Sequence, residues 1–184
     1  MQVAHTFFST ALNKVGLVAA AVLLSFLGGC ATFAPPVPEG YSGPVSIVKD
    51  SVKPLSESKA NFFYVSEIND QRIEDSRVRT LQLNRGRGFS MSPSVIERNV
   101  PARRATFTLV GRTEYAAPIL ALTNTVYQVS GKITFAPETY RSYVVRGELG
   151  ENYSAVWLED EADGKVIGEK IEIKGPAKLG TFEK

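Results

Sequence analysis

From Val45 onward the apolar side chains recur with a period of two. Ala105, Phe107 and Leu109 alternate with Thr106 and Thr108, and Tyr127, Val129, Ile133 and Phe135 alternate with Gln128, Ser130, Lys132 and Thr134. Successive strand residues point to opposite faces, so this pattern predicts strands with one buried face each. Two runs, Phe62-Phe63-Tyr64-Val65 and Ala155-Val156-Trp157-Leu158, are apolar at every position and predict central strands covered on both sides. Further strands are expected at 45–49, 78–83, 95–100, 142–149 and 166–173, punctuated by Gly, Pro, Asn or Asp. About nine short strands in about 130 residues specify an all-β domain.

The plainest hairpin lies between 154 and 173. Asp160-Glu161-Ala162-Asp163-Gly164 separates two apolar runs, and Gly164 supplies the positive φ of a turn, pairing 154–159 with 165–173. No amphipathic helix stands out after residue 44, although 66–79 has room for one short turn. The 116–124 segment reads either as a buried strand or as a short helix begun by Pro118. The expected fold is an antiparallel β-sandwich or small barrel, immunoglobulin- or transthyretin-like, following an N-terminal signal helix and a proline-rich tether.

Ahead of that domain, an uncharged alanine- and leucine-rich run begins near Val15, after Lys14, and closes on Leu27-Gly28-Gly29-Cys30. A cationic start, a short apolar stretch and small residues before a cut site describe a secretory signal. The run is shorter than the ~20 apolar residues that a membrane-spanning helix requires. With a cysteine directly after the small pair, the segment resembles a bacterial lipoprotein signal. That resemblance implies recognition of Leu27, Gly28 and Gly29 by the signal peptidase, cleavage before Cys30, a diacylglycerol thioether on its sulfur and an acyl chain such as palmitate on its new amine. Ala31 in the next position implies the periplasmic face of the outer membrane. The expected organisation is a signal peptide at 1–29, a lipidated cysteine and tether at 30–44, a β-rich domain at 45–175 and a tail at 176–184. The tether holds Pro35, Pro36, Pro38, Pro44, Gly40 and Gly43; fully extended, it would reach ~40 Å.

At Val100-Pro101-Ala102, Tyr115-Ala116-Ala117-Pro118-Ile119 and Val156-Trp157-Leu158-Glu159-Asp160 the chain is similar to a set of small Gram-negative lipoproteins. The resemblance implies a location and a β-rich fold, and no catalytic motif is attached to it.

Composition narrows the chemistry. Cys30 is the only cysteine and His5, within the signal, the only histidine. A processed chain would therefore hold no internal disulfide, no histidine base, no usual zinc ligand and no Ser-His or Cys-His nucleophile. The formal net charge of +2 gives no argument for nucleic acid.

Arginine is concentrated at Arg72, Arg77, Arg79, Arg85, Arg87, Arg98, Arg103, Arg104 and Arg112, with no lysine from 60 to 131. Guanidinium groups bind carboxylates and phosphates bidentately, so a shared arginine face would suit an anionic envelope component. The other reading is dispersal into ion pairs with Glu67, Glu74, Asp75, Glu97 and Glu114. Within this region Arg85-Gly86-Arg87-Gly88 is the candidate anion-binding stretch, its glycines able to turn backbone N–H groups outward, joined by Arg103 and Arg104. The acidic 159–170 segment departs from a calcium loop, because its twelfth position is Lys170. Paired carboxylates could hydrolyse a glycan, and Glu148 with Glu159 or Asp160 would be the pair to choose, though no spacing selects them. Trp157, inside the most apolar strand, is expected in the core. The functional expectation is a non-catalytic binding or structural module of the envelope, without cofactor or metal. It would be held to the membrane by lipid and contact an anionic component or another envelope protein. A carboxylate-based glycan or peptide hydrolase and an accessory or chaperone of outer-membrane assembly are the alternatives.

Overall fold

In the computed structural model, which describes residues 33–184, the alternating segments form ten strands in two stacked sheets that do not close into a barrel. The strands are β1 (Val45–Lys49), β2 (Ser51–Ser56), β3 (Lys59–Ile68), β4 (Gln71–Arg72), β5 (Glu97–Pro101), β6 (Ala105–Tyr115), β7 (Gln128–Phe135), β8 (Ser142–Leu149), β9 (Tyr153–Asp160) and β10 (Val166–Lys174). One sheet runs β10-β9-β8-β1-β5 and the other β2-β3-β6-β7, with β4 beside β3. Pairing is antiparallel except between β1 and β8, where Ile47 faces Ser142 in parallel, so the first sheet is mixed. The β9–β10 hairpin forms as expected, with Gly164 at φ +71°.

The sandwich core is the inward face of both sheets. Val48, Phe63, Val65, Val100, Phe107, Leu109, Val129, Val145, Val156 and Leu158 are all buried in it, and Phe135 bridges Phe107 and Tyr143 through tilted and edge-on ring contacts. Gly147 faces the Phe63 ring, and a Cβ there would overlap both that ring and the Ala155 carbonyl. Trp157 departs from expectation. It alternates with Val156 and Leu158, so it lies on the outer face, half-buried, with Lys170 Nζ 3.9 Å from its ring centroid.

β1 and β2 are one extended run that changes sheets at Asp50. The corner is held from inside: Asp50 is 2% exposed and accepts hydrogen bonds from Val65 N (3.1 Å), Ser76 N (2.9 Å), Ser76 Oγ (2.8 Å), Arg98 Nη1 (2.7 Å) and Arg98 Nη2 (2.6 Å). A buried carboxylate of this kind is tolerable only because every lone pair has a donor.

Two helices interrupt the strands. The 78–83 segment, expected as a strand, belongs to helix α1 (Ser76–Leu83), capped by Asp75, whose side chain accepts from Val78 N at 2.9 Å. Its buried residues are Ser76 and Thr80, one turn apart and both polar, so hydrophobic periodicity could not register the helix. The ambiguous 116–124 segment contains helix α2 (Pro118–Thr123), with Pro118 in the first turn.

Residues 33–44 are not a free spacer. Ala34 N donates to Arg72 O (2.8 Å), Arg72 lies over the Phe33 ring, Arg103 lies over the Tyr41 ring, and Pro35, Pro36 and Pro38 line a small cavity together with Ile68, Ile73 and Phe107. The prolines that extend the segment also remove N–H groups it would otherwise have to satisfy. The tail is equally engaged: Gln128 N donates to Ala177 O (2.9 Å) and Leu179 N to Val126 O (2.9 Å), extending the second sheet beside β7.

Candidate functional site

The outer face of the second sheet is where the fold becomes irregular. Phe62, Tyr64, Val110 and Ala60 project from β3 and β6 away from the sandwich core and form a second apolar cluster with Met91. α1 and the returning 84–96 segment lie over it. Asn84 fixes that return, since its Nδ2 donates to Thr80 O (2.8 Å) and Ser92 O (2.9 Å) while its Oδ1 accepts from Ser92 N (2.8 Å). Thr80 and Ser76 receive Ser94 N and Ile96 N in the same way, at 2.9 and 2.7 Å. This explains why a segment with so little apolar pattern is ordered.

At the far end of β6 the same face turns charged. Glu114 accepts from Arg77 Nε on α1 and from Arg112 Nε (2.7 Å), and Arg112 Nη1 reaches Gln128 Oε1 at 2.5 Å. Two guanidiniums thus share one carboxylate that is 7% exposed. Burial works to lower the Arg77 pKa, but the charge and hydrogen bond of Glu114 outweigh it and hold the group above its ordinary value. Nearby, burial pushes the Tyr64 phenol well up and keeps it protonated, and burial raises the Asp75 carboxyl despite its bond from Val78 N.

Between α1 and α2 lies a cleft of two adjoining cavities, of about 280 and about 390 Å3, that share Leu81, Ala116 and Pro118 as walls. Arg77, Arg112, Glu114, Tyr115, Ala121, Leu122, Val126 and Lys184 also line the first; Asn84, Arg85, Gly86, Gly88, Met91 and Ala117 also line the second. Small-molecule sites occupy about 300–1,000 Å3 and are mostly apolar with a few polar groups, which is the character of these walls.

Leu27, Gly28, Gly29 and Cys30 lie outside the described residues. Of the six proposed anion-binding residues, Arg85, Gly86, Arg87 and Gly88 form the exposed turn after α1, with φ +83° at Gly86 and +67° at Gly88, and Arg85, Gly86 and Gly88 line the second cavity. Arg103 and Arg104 are elsewhere. They precede β6, whereas the cleft lies at the far end of that strand, where Arg112 is its first lining residue, eight residue steps or ~26 Å beyond Arg104. The six do not form one site.

The remaining arginines disperse. Arg98 pairs with Asp50, Arg77 and Arg112 with Glu114, Arg79 with Glu74 at 3.5 Å, and Arg72 stacks on Phe33. Glu67 instead accepts from Thr108 Oγ1, and Glu97 lies nearest Lys49. Glu148 and Glu159 share the outer face of the first sheet but are offset by about four residues, or ~13 Å, with Arg146 bonded to Glu159 between them. Asp160 points inward to Arg141 (3.2 Å). These carboxylates are not a facing pair. Among the described residues no three His, Cys, Asp or Glu side chains converge as metal ligands. The cleft itself escaped sequence reasoning; the one signal for it was the unusual Ala-Ala-Pro-Ile-Leu-Ala-Leu run at 116–122.

No family model, curated protein or solved structure matches this chain.

Proposed function

We propose that the chain is a lipid-anchored binding module of the bacterial envelope, attached through Cys30 to the periplasmic face of the outer membrane and presenting the α1–α2 cleft to a ligand. The address rests on Leu27-Gly28-Gly29-Cys30 following an apolar run. The observation that carries binding is the cleft: apolar walls, a bonded Arg77–Glu114–Arg112 cluster and, among the described residues, no second carboxylate on its lining. Hydrolysis by two carboxylates needs a facing pair ~5–10 Å apart, and the carboxylate here is already shared by two guanidiniums.

Docking of residues 33–44 on the domain changes what the anchor does. Three residue steps separate Cys30 from Phe33, and fully extended chain covers at most ~11 Å over that distance. On this reading a ligand meets a domain whose freedom is already restricted, which raises the effective concentration of their encounter. The accessory role in outer-membrane assembly remains a second reading, favoured by the exposed Leu83, Phe89, Ile119 and Leu122.

The address is tested by mass spectrometry of the protein isolated from envelopes. The mature N-terminus should be a diacylglyceryl-modified, N-acylated Cys30, and Cys30→Ala should stay an uncleaved precursor or leave the membrane fraction. A free thiol at Cys30 in the parent protein refutes the anchor. Crosslinking in intact envelopes separates the two readings of function, since a module for small ligands gives no stoichiometric protein adduct and an assembly accessory does.

A further inference from the structure

α2 is built from Pro118, Ile119, Leu120, Ala121, Leu122 and Thr123, yet none of these is buried. Ile119 and Leu122 are 54% and 51% exposed. Six residues are too few for a helix to persist in water on its own propensity, and most helical stability in proteins comes from packing an apolar face. Of these residues Pro118, Ala121 and Leu122 line the cleft, whose other apolar walls include Leu81 and Met91.

The polar groups of the cleft select what can fill it. Arg77 and Arg112 both spend Nε on Glu114, Arg112 Nη1 goes to Gln128, and both Nη groups of Arg77 and Nη2 of Arg112 have no hydrogen-bond partner among the described residues. Arg85, on the wall of the adjoining cavity, has no ion pair among the described residues. Lys184, at the margin, donates its Nζ to Leu122 O (3.3 Å) and Asn124 O (2.7 Å). Three guanidiniums and one carboxylate therefore line a cleft whose remaining walls are largely apolar. Guanidinium forks bind carboxylate or phosphate, and flexible alkyl chains suit walls of Leu, Met, Ala and Pro.

We propose that the α1–α2 cleft binds a single-chain anionic amphiphile, its alkyl chain against Leu81, Met91, Ala121 and Leu122 and its head on the free donors of Arg77, Arg112 and Arg85. This deepens the binding reading and rests on it. Occupancy covers Ala121 and Leu122 of α2 and balances the excess positive charge of the walls.

The test uses the full chain purified from envelopes and a hexadecanoic acid carrying a diazirine on its alkyl chain, with the matching alcohol as the uncharged probe. Photolabelled peptides are mapped by mass spectrometry, and the state of Cys30 is read in the same digest. The acid should label peptides containing Leu81 and 116–122 at least tenfold more than the alcohol. Ala121→Trp, which fills the cavity, should remove that labelling, and Arg85→Gln, at an exposed arginine without an ion pair among the described residues, should reduce the acid-to-alcohol ratio several-fold with an unchanged melting profile. Equal labelling by acid and alcohol overturns the charged recognition. Absence of labelling, or protection of the cleft by concentration-dependent self-association of the chain, overturns the proposal altogether. If Cys30 is unmodified while the acid still labels the cleft, the anchor fails and the amphiphile site stands.

Discussion

Asp50→Asn should be among the most damaging single-atom changes available to this fold. Oδ1 receives two donors and Oδ2 three, so whichever oxygen becomes an NH2 group then faces at least two N–H or O–H groups. At the same time Arg98, whose side chain is 4% exposed, keeps its charge without a counter-charge. Removing one partner of a buried pair costs ~3–5 kcal/mol, and each orphaned buried donor ~1–3 kcal/mol. These contributions overlap, so the expected loss is ~4 kcal/mol, a large share of the ~5–15 kcal/mol that stabilises a domain. In urea, with a slope of ~2 kcal/mol/M, the unfolding midpoint followed by circular dichroism should fall by ~2 M. Pairing Asp50→Asn with Arg98→Met should cost less than the two changes added, because the double variant leaves no uncompensated cation. A midpoint shift for Asp50→Asn below ~0.5 M would show that the corner is not held by this carboxylate.

Three other changes probe separate parts of the argument. Gly147→Ala should drive a methyl group into the Phe63 ring and cost ~1–3 kcal/mol; calorimetry should show a melting temperature lower by ~3–9 °C, at ~3 °C per kcal/mol for a domain of this size. An unchanged melt would mean that the sheets are free to separate locally. Asp75 has its pKa raised by burial, so the folded state binds a proton more readily than the unfolded chain. Its contribution is therefore most favourable below the unfolded value near 3.8 and declines as pH rises through the raised folded value. Asn also caps helices, so Asp75→Asn should gain on the parent between pH 3 and pH 7 in parallel urea titrations; a difference independent of pH contradicts the burial argument. Arg103→Ala removes the cation over Tyr41, worth ~0.5–1 kcal/mol at an exposed site, and should speed proteolysis within residues 33–44 several-fold without moving the global melt. Cleavage at the parental rate would place the hold on that segment elsewhere, at Arg72.

How far the chain could be read before its fold was known depends on where the information lies. Period-two alternation is a local consequence of strand geometry, so β1, β6, β7, β8 and the β9–β10 hairpin are legible in the residues themselves, as is the double burial of β3. The absence of histidine after His5 and the placement of Cys30 are likewise matters of sequence alone. What tertiary structure decided has a common cause, which is polar groups satisfied at a distance. α1 buries Ser76 and Thr80 because Asp50 and the 92–96 backbone meet them there, and no hydrophobic period can announce that. Trp157 lies outward because its two neighbours in the strand are the ones that fit the sandwich core. The sheet change at Asp50, the docking of residues 33–44 and the separation of Arg85 from Arg103 along β6 follow from which strands pair. Residues 50 and 98, or 77 and 114, become partners only once those strands and α1 have assembled, since the free energy of such contacts belongs to the packed pair and to neither segment alone.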